Sequence, residues 1–179
     1  SSEYRMPISY HGAGGLSASV RAPDPADAKD YNNKFNLVSD SCSQLEGALI
    51  LASIIYSGAC DRFPDFRFVL GESGVTWIPF LLARMDAHYL DTRHHISLSM
   101  KPSDYWKRQG FATFQTDTIL ADMIELVGVD NAIWGSDYPH PDGVFPDSLA
   151  TIKEDFGNLR PDVRRKIISQ NAGKQYGFN

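Results

Sequence analysis

Cysteine is scarce in this chain, and long apolar runs are missing. Only Cys42 and Cys60 occur among 179 residues. They form no C-x-x-C pair and have no histidine beside them, which argues against a structural zinc site. They flank one predicted helix, about 27 Å long at ~1.5 Å per residue, so a disulfide has too far to reach. Both read as reduced thiols of a cytosolic protein. The most apolar segment, 48–56, is too short to span a bilayer, so no membrane contact is expected. The opening "SSEYRMPISYHG" has neither a basic region nor an apolar run of signal length. It also lacks an initiator Met and enters a strand within six residues, which reads as a cut end. No run of Lys or Arg exceeds three, and the net charge is −5, so a nucleic-acid surface is not expected. A phosphate loop is wanting too: "HGAGGLS" has neither G-x-G-x-x-G nor Walker spacing, and no helix follows it directly.

What remains is an ordinary globular composition, with 42% apolar and 22% charged residues. The length suits one unit, taken as 1–179. Strand-like and helix-like segments alternate along it. Strands are predicted at 6–12, 66–73, 110–115 and 131–137, and a Gly-, Pro- and Asn-rich loop at 13–38. Helices are predicted at 39–60, 76–90, 117–128, 146–157 and 161–177. Ser41 with Gln44 and Ser43 with Glu46 have capping-box spacing, and Gly58 closes the first helix. Thr76 is the expected cap of the second, with Pro79 in its first turn. Four strand–helix units in sequence imply a parallel sheet with right-handed crossovers.

Each predicted strand ends on a polar, chemically capable residue: His11, Glu72, Gln115 with Asp117 behind it, and Asp137 with His140. In parallel α/β folds the carboxyl ends of the strands form the ligand face. These four endings converge only if the sheet curves into a barrel. His11 and Asp137 suit a hard-to-borderline metal, and a free carboxylate can move protons. Each also has a plainer reading. His11 is a water-facing strand end; Glu72 caps the next helix, whose N-terminus favours negative charge. His140 is a loop histidine between Pro139 and Pro141. Asp137 is hardest to dismiss, because a buried acid needs something to bind. His94 and His95 suit a solvated or dipole-facing role. Trp77, Trp106 and Trp134 are packing residues, Trp106 being the one left for a substrate pocket. "DPADAKDYNNK" is a solvated loop.

The stretches "PISYHGAGG", "SGACDRFPDFRFVLGESGVTWIPFLLARMD", "FATFQTD", "NAIWGSDYPHPDG" and "NAGKQYGF" cover nearly the whole chain. In that order they resemble the carboxyl-terminal half of the amidohydrolase-related metal-dependent hydrolases. The branch includes aminocarboxymuconate-semialdehyde decarboxylase and the resorcylate-type decarboxylases. The resemblance implies strands five to eight of a TIM-type (β/α)8 barrel around a divalent metal, usually zinc, with manganese as the alternative. It implies His11 as a metal ligand and Asp137 as an aspartate that binds or faces the metal and acts as base. Glu72 stands where decarboxylase members carry a histidine, a departure that counts against the histidine-dependent route.

The His-x-His or Glu-x-His pair of the family's first strand does not occur here. The resemblance therefore implies a missing amino-terminal half, supplied by another segment or chain. A half barrel has unpaired edges and an open apolar face, so association into an oligomer is expected. Two functional readings follow. One is half of a metal-dependent hydrolase or non-oxidative decarboxylase, acting on a small carbonyl or carboxylate substrate with Asp137, Glu72 and His140 as catalytic groups. The other is a non-catalytic scaffold or regulatory subunit.

Overall fold

The computed structural model describes residues 6–11, 41–92, 95, 97–140 and 143–178. The predicted loop 13–38, His94, Pro141 and Asp142 lie outside the described residues. Four strands, β1 (Ile8–His11), β2 (Phe68–Gly71), β3 (Gly110–Phe114) and β4 (Ala132–Trp134), form one sheet in chain order. All three pairings are parallel, with Ile8 opposite Phe68, Val69 opposite Phe111, and Thr113 opposite Ile133. Parallel neighbours need crossovers, and helices supply them. These are α1 (Glu46–Tyr56), α2 (Ala59–Arg62), α3 (Ile78–Thr92), α4 (Pro102–Gln109), α5 (Leu120–Val127) and α6 (Ser148–Phe156). The chain closes with α7 (Pro161–Arg165), a π-type turn (Lys166–Gln170) and α8 (Asn171–Tyr176).

Opposed residues share a face of the sheet. Phe68, Leu70, Ala112, Phe114 and Ala132 point to the helices and join Leu51, Ile55, Ile78 and Trp106 in the main core. Val69, Phe111 and Ile133 lie on the other face, with Ala172 packed against them. The sheet is thus apolar on both sides, as parallel sheets are. At the β1 end, Met6 and Ile8 stay 65% and 41% exposed.

The predicted helix 39–60 forms in pieces. A 3-10 turn at Ser43–Leu45 leads into α1, and neither N-cap, Cys42 or Leu45, makes a side-chain capping bond. Gly58, at φ 72°, ends α1 as expected, and the chain coils again into α2. Thr76 donates its hydroxyl to Asp117 Oδ1 at 3.1 Å.

The helix α4 has no counterpart among the predicted elements. Pro102 sits in its first turn, where the missing N–H costs nothing. Asp86 caps it from α3, accepting from Ser103 N at 2.9 Å and Ser103 Oγ at 2.7 Å. Its Trp106 is fully buried and donates Nε1–H to the Val127 carbonyl at 2.7 Å. That places Trp106 in the core, away from any substrate pocket. The turn into β3 is pinned by buried Asn131, whose Nδ2 reaches the carbonyls of Trp106, Lys107 and Gly110. Asn171 does the same at β4, bonding the Val129 and Ala132 carbonyls at 2.7 and 2.8 Å. Both cysteines are free thiols. Among the described residues no helix is long and apolar enough to cross a membrane.

Candidate active site

Because the strands are parallel, their carboxyl ends share one edge, and His11, Glu72, Gln115 and Asp137 all follow them there. His11 pairs in register with Gly71. Simple alternation would send the next residue, Glu72, to the opposite face from His11. The backbone does otherwise. Glu72 and Asp137 adopt φ of 48° and 57°, the two positive values among described non-glycine residues. Such conformations cost roughly 1–3 kcal/mol each and persist only when the surroundings hold them.

The surroundings do hold them. Glu72 N donates to Thr113 Oγ1 at 2.8 Å, and Ser73 N donates to the Thr113 carbonyl at 3.1 Å. Val75 N and Thr76 N both donate to Asp117 Oδ2, at 3.3 and 3.2 Å. Asp117, not Glu72, thus serves the N–H groups ahead of α3. Burial raises its carboxyl above the ordinary value, against the pull of those hydrogen bonds. Past β4, His140 N donates to the Asp137 carbonyl at 2.8 Å, and Val144 N to the Ser136 carbonyl at 2.9 Å.

The turned backbone brings the candidate groups into one line of contacts. Nε2 of His11 lies 2.5 Å from Oε2 of Glu72. On the other carboxylate oxygen, Gln115 Nε2 stands at 3.4 Å. The Glu72 carboxyl meets that of Asp137, and this hydrogen bond raises its pKa, with burial and the Asp137 charge adding to the rise and His11 opposing it. Two ionised carboxylates have no hydrogen to share, so the contact is a bond only when one is protonated. Accordingly, Asp137 Oδ2 is buried without a hydrogen-bond partner. Nδ1 of His140 stands 3.4 Å from it, on a side chain 58% exposed.

A buried carboxylate oxygen with no donor fits a cation, and an imidazole beside it is a suitable co-ligand. Among the described residues, however, no group of three His, Cys, Asp or Glu side chains is placed to hold a metal. His11 and Asp137 therefore fit part of a ligand set and not the whole. Thr113 is the participant that sequence reasoning missed; its only signal is a hydroxyl on the inner face of an otherwise apolar strand. Beside the site, Tyr138 and Phe145 pack edge to face at 4.7 Å.

The amidohydrolase family pattern matches residues 50–178. The chain belongs to the amidohydrolase family. Solved structures of similar shape include 5-carboxyvanillate decarboxylase from Sphingomonas paucimobilis, with 23% identity and a TM-score of 0.74 over 99% of this chain and 51% of that one. An amidohydrolase of Mycobacterium avium subsp. paratuberculosis gives 21% identity and 0.73, over 97% of this chain and 43% of the other. A dihydroxybenzoic acid decarboxylase from a Polaromonas species, with bound manganese and 2-nitroresorcinol, gives 20% and 0.69, over 99% and 52%. This amidohydrolase chain thus spans about half the length of the structures it matches. Its four parallel strands have the fold of half of such a barrel chain.

Proposed function

We propose that this rim is half of the active centre of a metal-dependent hydrolase or carboxy-lyase acting on a small carbonyl or carboxylate compound. The observation that carries the reading is the half-buried Asp137 carboxylate, whose buried Oδ2 accepts no hydrogen bond and which is linked through Glu72 to His11. His11 and Asp137 hold the metal, and the amino-terminal half of the barrel, from another segment or chain, supplies the remaining ligands. A divalent ion, when bound there, would supply Lewis acidity toward an oxygen of the substrate. Zinc and manganese both suit these donors, and manganese is the metal of the Polaromonas enzyme.

Within this chain, Asp137 Oδ2 accepts the proton that the reaction releases. Glu72, kept more easily protonated than an ordinary glutamate by Asp137, holds the neighbouring proton and steadies the His11 ring. His140, on the open side, orients the substrate. The exposed β1 edge and the half-length match support association with the missing half. The free thiols support a cytoplasmic setting. A non-catalytic scaffold is the second reading, favoured by the lack of a three-ligand group among the described residues.

The test is Asp137→Asn in the assembled particle, screened on aromatic carboxylates and on small amides and lactones. Turnover should fall about 10²–10⁴-fold, the usual worth of a general base, with the melting temperature retained. Turnover at the native rate would contradict the assignment.

A further inference from the structure

At the amino ends of the strands, opposite the rim, lies a cavity of about 390 Å³. Arg67 enters it just before β2, Lys107 and Arg108 just before β3, and Lys174 and Gln175 from α8. Its charge is lopsided. Four cations face two carboxylates, Asp65 and Asp130, and Asp130 is already paired with Lys166 at 2.8 Å. Among the described residues the ammonium groups of Lys107 and Lys174 have no hydrogen-bond or ion-pair partner. Arg67 uses Nη1 for the Pro64 and Phe66 carbonyls. Arg108 is held by Gln109 Oε1 and the Cys60 carbonyl, and adds its charge in a fixed place.

A second observation points the same way. Nε2 of Gln175 is buried with no acceptor. A buried amide hydrogen without a partner is destabilising, so it belongs where an acceptor can sit. Fixed guanidinium charge, mobile ammonium groups and one neutral amide donor make up a recognition set for an oxyanion.

We infer that this cavity binds a small oxyanion, a phosphate or carboxylate group, through Lys107, Lys174 and Gln175 Nε2 with Arg67 and Arg108 behind them. The site uses none of the rim residues, so it stands or falls apart from the reading of Asp137. The strands between the two ends are only ~10–17 Å long at about 3.3 Å per residue.

Inorganic phosphate titrated into the full chain is the test, by calorimetry and thermal melting at constant ionic strength. One saturable site is expected, with the melting temperature rising about 5–10 °C when phosphate reaches roughly a hundredfold its dissociation constant. The double variant Lys107→Ala/Lys174→Ala should lose the site, and Gln175→Glu, which puts a carboxylate in place of the donor, should lose it too. Lys153→Ala, on α6 and outside the cavity, should keep it. Absence of a saturable heat, a rise matched by sodium chloride alone, or undiminished binding in the lysine double variant overturns the proposal.

Discussion

The carboxyl groups of Glu72 and Asp137 meet across the end of β3, the strand that separates β2 from β4. Both residues hold left-handed backbone, with φ of 48° and 57°. Local strain and a place at the candidate site therefore coincide at two residues that follow different strands. For an L side chain that conformation costs about 1–2 kcal/mol, a cost glycine avoids. Glu72→Gly should then be more stable than Glu72→Ala by about 1–2 kcal/mol, reversing the usual order of these residues. Chemical denaturation of the two variants measures it; Ala as stable as Gly would contradict the backbone assignment.

Thr113 keeps Glu72 in that conformation through its hydroxyl oxygen. Thr113→Val has nearly the same shape but no acceptor for the Glu72 N–H. A loss of about 1 kcal/mol in stability is expected. In the assembled enzyme kcat should fall more than KM rises, because the Glu72 carboxylate is displaced while the pocket walls remain. An unchanged kcat would assign Thr113 to packing alone.

The turn between α4 and β3 should be among the least tolerant in the chain. Asn131 supplies a donor to three carbonyls there, at 3.1, 3.2 and 2.7 Å. Asn131→Ala takes this donor from the Lys107 and Gly110 carbonyls, while the Trp106 carbonyl keeps the Gly110 N–H, so a loss of roughly 2–4 kcal/mol is expected at about 1–3 kcal/mol per unsatisfied group with partial relaxation. Gly110→Ala would set a Cβ 2.3 Å from the Trp106 ring, and overpacking of this kind costs about 1–3 kcal/mol. Urea melts of both variants check these values.

Cys60 is fully buried, and burial pushes its thiol up to about 11. Below that pH the group is protonated, and the thiolate is the reactive form. At pH 8 a thiol reagent should therefore modify Cys42 alone in the native protein and both cysteines in urea. Peptide mapping after alkylation reads the outcome, and native-state labelling of Cys60 would contradict its place in the core.

Much of this organisation is legible in the sequence, and the physical reason is positional. An apolar run ending on His11, Glu72 or Asp137 shows where each strand stops, and parallel connectivity brings those ends to one side. What the sequence conceals are roles created by distant partners. Thr113 looks like a strand residue until Glu72, 41 positions away, donates to it. Asp117 reads as a second rim acid and instead caps the chain at Val75 and Thr76. The helix α4 is hidden because its buried residues are only Pro102, Tyr105, Trp106 and Gln109, beside the charged Lys107 and Arg108. Trp106 reads as a packing residue with a substrate pocket left open to it, and its ring packs on Phe68 at 6.2 Å.

In the proposed function, His11 and Asp137 contribute to a metal site completed by an amino-terminal half barrel. Native mass spectrometry of the purified particle, before and after Asp137→Asn, tests it most directly. The account predicts this chain together with a polypeptide segment of comparable size and about one divalent ion per pair, as three protein ligands at a catalytic metal require. The ion should be lost in the variant while the pair persists. A particle of this chain alone without metal, or a variant that keeps its ion, would contradict the account.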